Sequence, residues 1–98
     1  MKKAVIILVL ALFGCVSDKM PVANFEINTP SGKFQKGTYV FDNLSINADT
    51  YFWEFGDESF SEEKSPKHRY KQLGDYDVTL TVTNANGIDK KTIILFYE

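Results

Sequence analysis

Polar and apolar residues alternate almost without error along DYDVTLTVTN (75–84), where Tyr76, Val78, Leu80 and Val82 fall on one side and Asp77, Thr79, Thr81 and Thr83 on the other. A period of two predicts a strand with one buried and one wet face. NANG (84–87) follows with the Asn-Gly signal of a hairpin turn, and IDKKTIILFYE (88–98) returns as the partner strand. Upstream, TYVFDNLS (38–45) sets Tyr39, Phe41 and Asn43 against Val40, Asp42 and Leu44. TYFWEF (50–55) sets Tyr51, Trp53 and Phe55 against Phe52 and Glu54, and Gly56 closes that strand. VANFEIN (22–28) alternates less cleanly, with Val22 and Phe25 or Ile27 expected to face inward, and the turn-rich TPSGKFQKG (29–37) comes next. Beyond the first fifteen residues no stretch sustains a 3.6-residue apolar repeat. Short strands spaced roughly 8–12 residues apart predict an all-β sandwich of about seven short antiparallel strands.

The N-terminus follows a different pattern. Lys2 and Lys3 precede the apolar run AVIILVLALFG (4–14), whose length is well below the roughly 20 residues that a membrane-spanning helix needs. Charge followed by a short apolar run predicts an export-signal helix. LFGC (12–15) resembles the lipobox of bacterial lipoproteins, with a branched residue three before the cysteine and a small one just before it. Cys15 is the only cysteine, so an intramolecular disulfide is excluded. The resemblance implies that Cys15 becomes the mature N-terminus, carrying a thioether diacylglycerol and an acylated amine that hold the protein on a membrane. A plain signal peptide or short anchor with an incidental cysteine is the alternative; the apolar run stops at Cys15 and polar VSDKM follows, which favours lipidation. The expected organisation is a lipoprotein-type signal peptide over 1–14, a lipid-anchored tether over 15–21 and one domain over 22–98. Val16 stands where enteric lipoproteins retained in the inner membrane carry Asp, so the expected location is the bacterial outer membrane. Periplasmic and cell-surface orientations both stay open, although Ser17 and Asp18 loosely resemble the surface-export tails of some lipoproteins.

Composition narrows the picture further. The 98 residues, 44% hydrophobic and 14% aromatic, suffice for one core, and without disulfides so small a core depends on dense aromatic packing. The formal charge is -2; removing Lys2 and Lys3 leaves nine basic against thirteen acidic residues, about -4. That balance argues against nucleic acid as a partner, which requires clustered cations, and against peripheral binding to anionic lipid.

YFWEFGDES (51–59) together with SPKHRYKQLGDYDVTLTVTNANG (65–87) resembles the PKD domain, the immunoglobulin-like module named for polycystic kidney disease protein. Its signature reads tyrosine-x-tryptophan-aspartate-phenylalanine-glycine-aspartate-glycine. The likeness covers roughly residues 21–98 and is carried by Tyr51, Trp53, Phe55, Gly56 and Asp57, then Pro66, His68 and Tyr70, then Gly74, Tyr76, Val78, Leu80 and Val82. Glu54 replaces the usual Asp and Glu58 the usual Gly, and the second departure suggests a turn that needs no positive φ at position 58. The resemblance implies an immunoglobulin-like sandwich in which Trp53 is a plug between two sheets. Asp57 would accept backbone amides of the following turn, and the Tyr76 hydroxyl would reach a backbone carbonyl near the corner at Gly74.

Catalytic chemistry finds little support. A Ser-His-Asp scheme would have to run through the single histidine, His68, which the resemblance makes structural, and no nucleophile elbow is visible. Adjacent Glu62 and Glu63, or Asp57 and Glu58, would point to opposite faces of an extended chain and not converge on one glycosidic bond. Some family members bind calcium, and Asp42, Asn43 and Asp57 are oxygen ligands of the right kind; with no dense acidic loop, ordinary turn capping is preferred. Zinc is excluded for want of ligands, and no cofactor is expected. Phe52, Phe60, Ile94 and Phe96 fall opposite the inferred core positions. If they cluster they form an apolar binding surface; the alternative is a last strand buried on both faces or covered by the linker. The expected function is a non-enzymatic, lipid-anchored envelope protein whose domain binds protein or carbohydrate, the alternatives being a structural accessory or subunit of a larger surface complex and, remotely, a hydrolase.

Overall fold

The computed structural model describes residues 19–98. The signal helix expected over 1–14, and Cys15 with it, lie outside the described residues. Seven strands follow in order: β1 (Phe25–Asn28), β2 (Thr38–Asn43), β3 (Thr50–Glu54), β4 (Phe60–Ser61), β5 (Lys67–Arg69), β6 (Gly74–Asn84) and β7 (Gly87–Tyr97). They form a three-stranded sheet in the order β1-β2-β5 and a four-stranded sheet in the order β4-β3-β6-β7, with every pairing antiparallel. No helix occurs among the described residues, and the fold is the expected all-β sandwich.

The alternation in β6 drives the packing. Val78, Leu80 and Val82 have no solvent exposure, and Trp53 of β3 lies in register opposite Leu80. Phe25 of β1 and Phe41 of β2 meet the indole from the other sheet, edge-on, with ring centroids 5.0 and 5.7 Å away. Buried Leu95 of β7 and Tyr70, which follows β5, extend the same core, and Tyr51, Tyr76 and Tyr39 pack around it half-buried. The indole Nε1 donates to the Glu63 carbonyl at 2.9 Å, so burial leaves this donor satisfied. Each edge-to-face aromatic contact contributes about 0.5–1.5 kcal/mol beyond simple burial, a sizeable share in so small a core.

Three expectations change. Val22 is 45% exposed and Ala23 takes the inward place, because a period of two running back from Phe25 turns residue 23 to the core and residue 22 away. The β6–β7 loop consists of Ala85 and Asn86, with Asn84 paired to Gly87, so the turn sits one residue ahead of the Asn-Gly pair. The Asn84 carboxamide oxygen stabilises it by accepting the Asn86 and Gly87 amides at 2.7 and 3.1 Å. Finally, β7 is an edge strand with one open face, where Ile94 and Phe96 are 50% and 58% exposed, so it is not buried on both sides.

Replacing Trp53 by Ala is expected to lower the unfolding free energy by about 3–5 kcal/mol. Urea denaturation followed by circular dichroism measures it, since the only tryptophan is lost with the substitution.

Candidate functional site

Beyond β3 the chain reverses through two residues with positive φ, Gly56 at 86° and Glu58 at 73°. A Cβ on Gly56 would stand 2.8 Å from both the amide nitrogen and the carbonyl oxygen of Asp77, so close packing on β6 demands glycine there. The Phe55 amide donates to the Ser59 carbonyl at 3.1 Å and closes the turn. Inside it, Asp57 Oδ1 accepts the Ser59 amide at 3.1 Å and the Ser59 hydroxyl as well, while Oδ2 accepts from His68 Nε2 at 2.7 Å. The His68 ring lies flat on Phe55, with centroids 4.2 Å apart and planes 7° from parallel, and stands edge-on to Tyr70 at 4.7 Å.

Two tyrosines fasten the surroundings. Buried Tyr70 donates its hydroxyl to the Phe55 carbonyl at 2.7 Å, and Tyr76 donates to the Gln72 carbonyl at 2.6 Å, bridging the corner before Gly74. Burial first, and then the nearby Asp57 carboxylate, push the Tyr70 hydroxyl well above its ordinary ionisation range. Burial also works to raise Asp57, but the hydrogen bonds from Ser59 and His68 outweigh it and hold the carboxyl below its ordinary value.

Ser59, His68 and Asp57 thus meet, and the sequence reading had named only two of them. The signal for Ser59 was its place two residues after an aspartate in a turn, where a hydroxyl joins the Asx bonding pattern. A hydrolytic triad needs the serine on one imidazole nitrogen and the carboxylate on the other. Here Ser59 and Asp57 both meet Nε2, at 3.1 and 2.7 Å, and the serine hydroxyl donates to the carboxylate. The arrangement locks a turn and has no path for relaying a proton from serine to base. A groove of about 620 Å³ runs beside it, lined among others by Asp57, Glu58, His68, Lys71 and Gln72.

The oxygen ligands weighed for calcium do not converge. Asp42 accepts from the Asn28 carboxamide at 2.6 Å, the Asn43 side chain holds the Lys64 carbonyl at 2.7 Å and the Ser45 amide at 2.9 Å, and Asp57 is committed to the turn. No group of three or more metal-ligating side chains stands together among the described residues.

The outward apolar side chains separate into two groups, so the single patch that clustering would have produced is not formed. Phe52 and Phe60 sit side by side at 5.6 Å on β3 and β4, beside a groove of about 410 Å³ that Glu54, Glu58 and Ser59 also line. Ile94 and Phe96 stand on β7, opposite Asp77 and Asp75. Between the two groups runs the outer row of β6, and Thr79 and Thr81 pair with Glu54 and Phe52 on one side and with Thr92 and Lys90 on the other. A Thr79–Thr92 hydroxyl bond of 2.8 Å ties two strands of this row together.

Residues 19–95 match the family model of the PKD domain. The chain belongs to that family. Over 71 residues it is 37% identical to the pre-pro-metalloprotease PrtV of Vibrio cholerae serotype O1, a stretch that covers 68% of this chain and 7% of the protease. The chain therefore spans only a small part of the curated relatives that it matches. The crystal structure of the PKD1 domain of Vibrio anguillarum Epp superposes with a TM-score of 0.68 at 32% identity, covering 82% of this chain and 95% of that one. A structure described under the promiscuous specificity of carbohydrate-binding modules from the β-sandwich superfamily reaches a TM-score of 0.68 at 26% identity, over 82% of this chain and 35% of that one.

Within this PKD domain, Glu58 is the position at which the sequence expectation fails. Its φ of 73° shows that the turn keeps the left-handed geometry for which the family's usual glycine is suited, because the Phe55–Ser59 closure and the Asp57 bonds dictate the backbone whatever residue stands there. Glu58→Gly is expected to stabilise the domain by about 0.5–1 kcal/mol in urea denaturation, the relieved strain exceeding the added unfolded-state entropy.

A second expectation concerns pH. Because folding lowers the Asp57 pKa, its contribution to stability is present above the ordinary carboxylate value of 3.8 and is lost as the pH falls below it. Asp57→Asn should flatten that acid limb of the stability curve; an unchanged slope between wild type and variant would contradict the assignment.

Proposed function

We propose that this chain is a non-catalytic envelope protein, anchored in the outer membrane through lipid on Cys15, whose PKD domain binds carbohydrate at the Phe52–Phe60 face. The aromatic pair carries the reading. Phe60 is 67% exposed beside half-buried Phe52, and the groove at their edge offers the carboxylates of Glu54 and Glu58 and the hydroxyl of Ser59. The C–H faces of a sugar ring stack on such phenyl rings while its hydroxyls donate to carboxylates, the mixed apolar and polar lining that ligand sites share. The likeness to a carbohydrate-binding β-sandwich supports the choice of ligand. For the anchor, support comes from the LFGC pattern, the single cysteine and the change to polar residues directly after it.

A protein ligand is the second reading, favoured by the open edge of β7. Its eleven residues carry exposed Ile94 and Phe96, and an extended segment of a partner would add there as a further strand.

A glycan array probed with residues 16–98 tests the first reading; the related Vibrio anguillarum domain is itself an isolated unit of this kind. Phe60→Ala should weaken glycan binding by about tenfold with the circular dichroism spectrum unchanged. Undiminished binding by that variant, or a blank array alongside capture of a specific protein, would sink the carbohydrate assignment.

A further inference from the structure

The chain enters the sandwich at one pole, and that pole holds it firmly. The Asn84 carboxamide donates to the Lys19 carbonyl at 2.9 Å and to the Asn47 carbonyl at 2.7 Å, and the Asn86 carboxamide reaches the same Lys19 oxygen at 3.2 Å. Met20 lies against Gly87, where an added Cβ would run into its methyl group. Pro21 is buried, and Val22 exchanges two backbone bonds of 3.0 Å with Ile46. Residues 19–21, read from the sequence as tether, are therefore fastened to the domain. Four Cα steps separate Lys19 from Cys15, a reach of at most about 14 Å.

The same pole gathers exposed apolar side chains. Of the ten large hydrophobic residues exposed among the described residues, five belong to it: Met20 at 53%, Val22 at 45%, Leu44 at 45%, Ile46 at 57% and Ile88 at 62%. Val22 and Ile46 are cross-strand partners, and Leu44 shares their side two residues before Ile46. Met20 rests on Gly87, and Ile88 follows on the outer face of the other sheet, paired with Thr83. The side chains set among them include the amides of Asn47, Asn84 and Asn86. Of the three charged residues of β7, Asp89 and Lys91 are engaged with the N-terminal segment, Asp89 accepting the Ala23 amide at 2.8 Å and Lys91 donating to Asn24 at 2.7 Å. Exposed Lys19 and exposed Asp49 bring one charge of each sign to this pole, so the attraction of this surface is apolar.

From these two observations we infer that the N-terminal pole is a lipid-contact face, seated on the leaflet that holds the acyl chains of Cys15. The inference rests on the anchoring proposed above. With a reach of at most about 14 Å the anchor brings this pole, and no other, to the bilayer surface. Apolar side chains of an anchored domain settle about 5–10 Å into the boundary between headgroups and acyl chains. The sandwich then stands upright. β6 runs from this pole towards the other end, and the eight residue steps from Asn84 back to Tyr76, at about 3.3 Å each, hold the Asp57–His68 groove roughly 25 Å above the membrane side.

Cys15 is the only native thiol, and lipid consumes it, so single cysteines introduced as Ile46→Cys, Ile88→Cys and Leu73→Cys can be labelled uniquely in the full-length lipidated protein. Leu73, 67% exposed beside Gly74, marks the opposite pole. Each labelled protein, checked by circular dichroism, is reconstituted in phosphatidylcholine vesicles containing a nitroxide-headgroup lipid. Fluorescence should be lost at positions 46 and 88 and retained at 73. Equal quenching at all three sites, or none at 46 and 88 in protein that floats with the vesicles, overturns the lipid-contact face alone. Shielding at 46 and 88 that grows with protein density assigns the pole to a second copy and overturns it too. Protein without lipid mass on Cys15 that stays in the supernatant overturns the anchoring and, with it, this inference.

Discussion

A single indole joins the two layers of this domain. Trp53 is held edge-on by Phe25 and Phe41 from the opposite sheet, backed by Leu80 in its own, and tied through Nε1 to the Glu63 carbonyl. From it an aromatic column continues through Phe55, His68 and Tyr70 to Tyr76, with successive ring centroids between 4.2 and 6.4 Å apart. A sandwich of this size has no disulfide to restrict its unfolded chain, so its cooperativity comes from these rings. The filled interior confines binding to faces, edges and poles.

The turn after β3 shows how such a core imposes local geometry. His68 extends the aromatic column, and its Nε2 reaches out of the stack to Asp57, which in turn gathers the amide and hydroxyl of Ser59. Three side chains that could suggest hydrolysis are a brace between the 56–59 turn and β5. The backbone accepts a positive φ at Glu58 because these bonds and the Gly56 contact with Asp77 outweigh a local strain of about 1–2 kcal/mol.

Outside the core, the two poles and the outer sheet face divide the remaining apolar surface. Phe52 and Phe60 face a small acidic groove, Ile94 and Phe96 border the open edge of β7, and the cluster around Met20 and Ile46 surrounds the point where the chain enters. Polar rows of threonine and aspartate on β6 separate the first two groups. The separation keeps the proposed membrane contact at one end of the small domain apart from the proposed ligand face.

Much of the fold was legible along the chain. Strict alternation in 75–84 named Val78, Leu80 and Val82 as core, and the aromatic spacing around Trp53 marked the second sheet strand, because a strand's period of two depends only on which side faces water. Asp57 and His68 stood out as single residues, but the meeting of His68 with the Asp57–Ser59 turn did not, since a partner eleven positions away arrives only when β3 and β5 are brought together by the core. The same holds for Glu58, whose φ is set by bonds to neighbours rather than by its own preference, and for the outward phenylalanines, whose grouping depends on which strands become neighbours. Alternation tells each residue its side of a strand; strand order and register, settled by packing the whole core at once, decide what stands beside it.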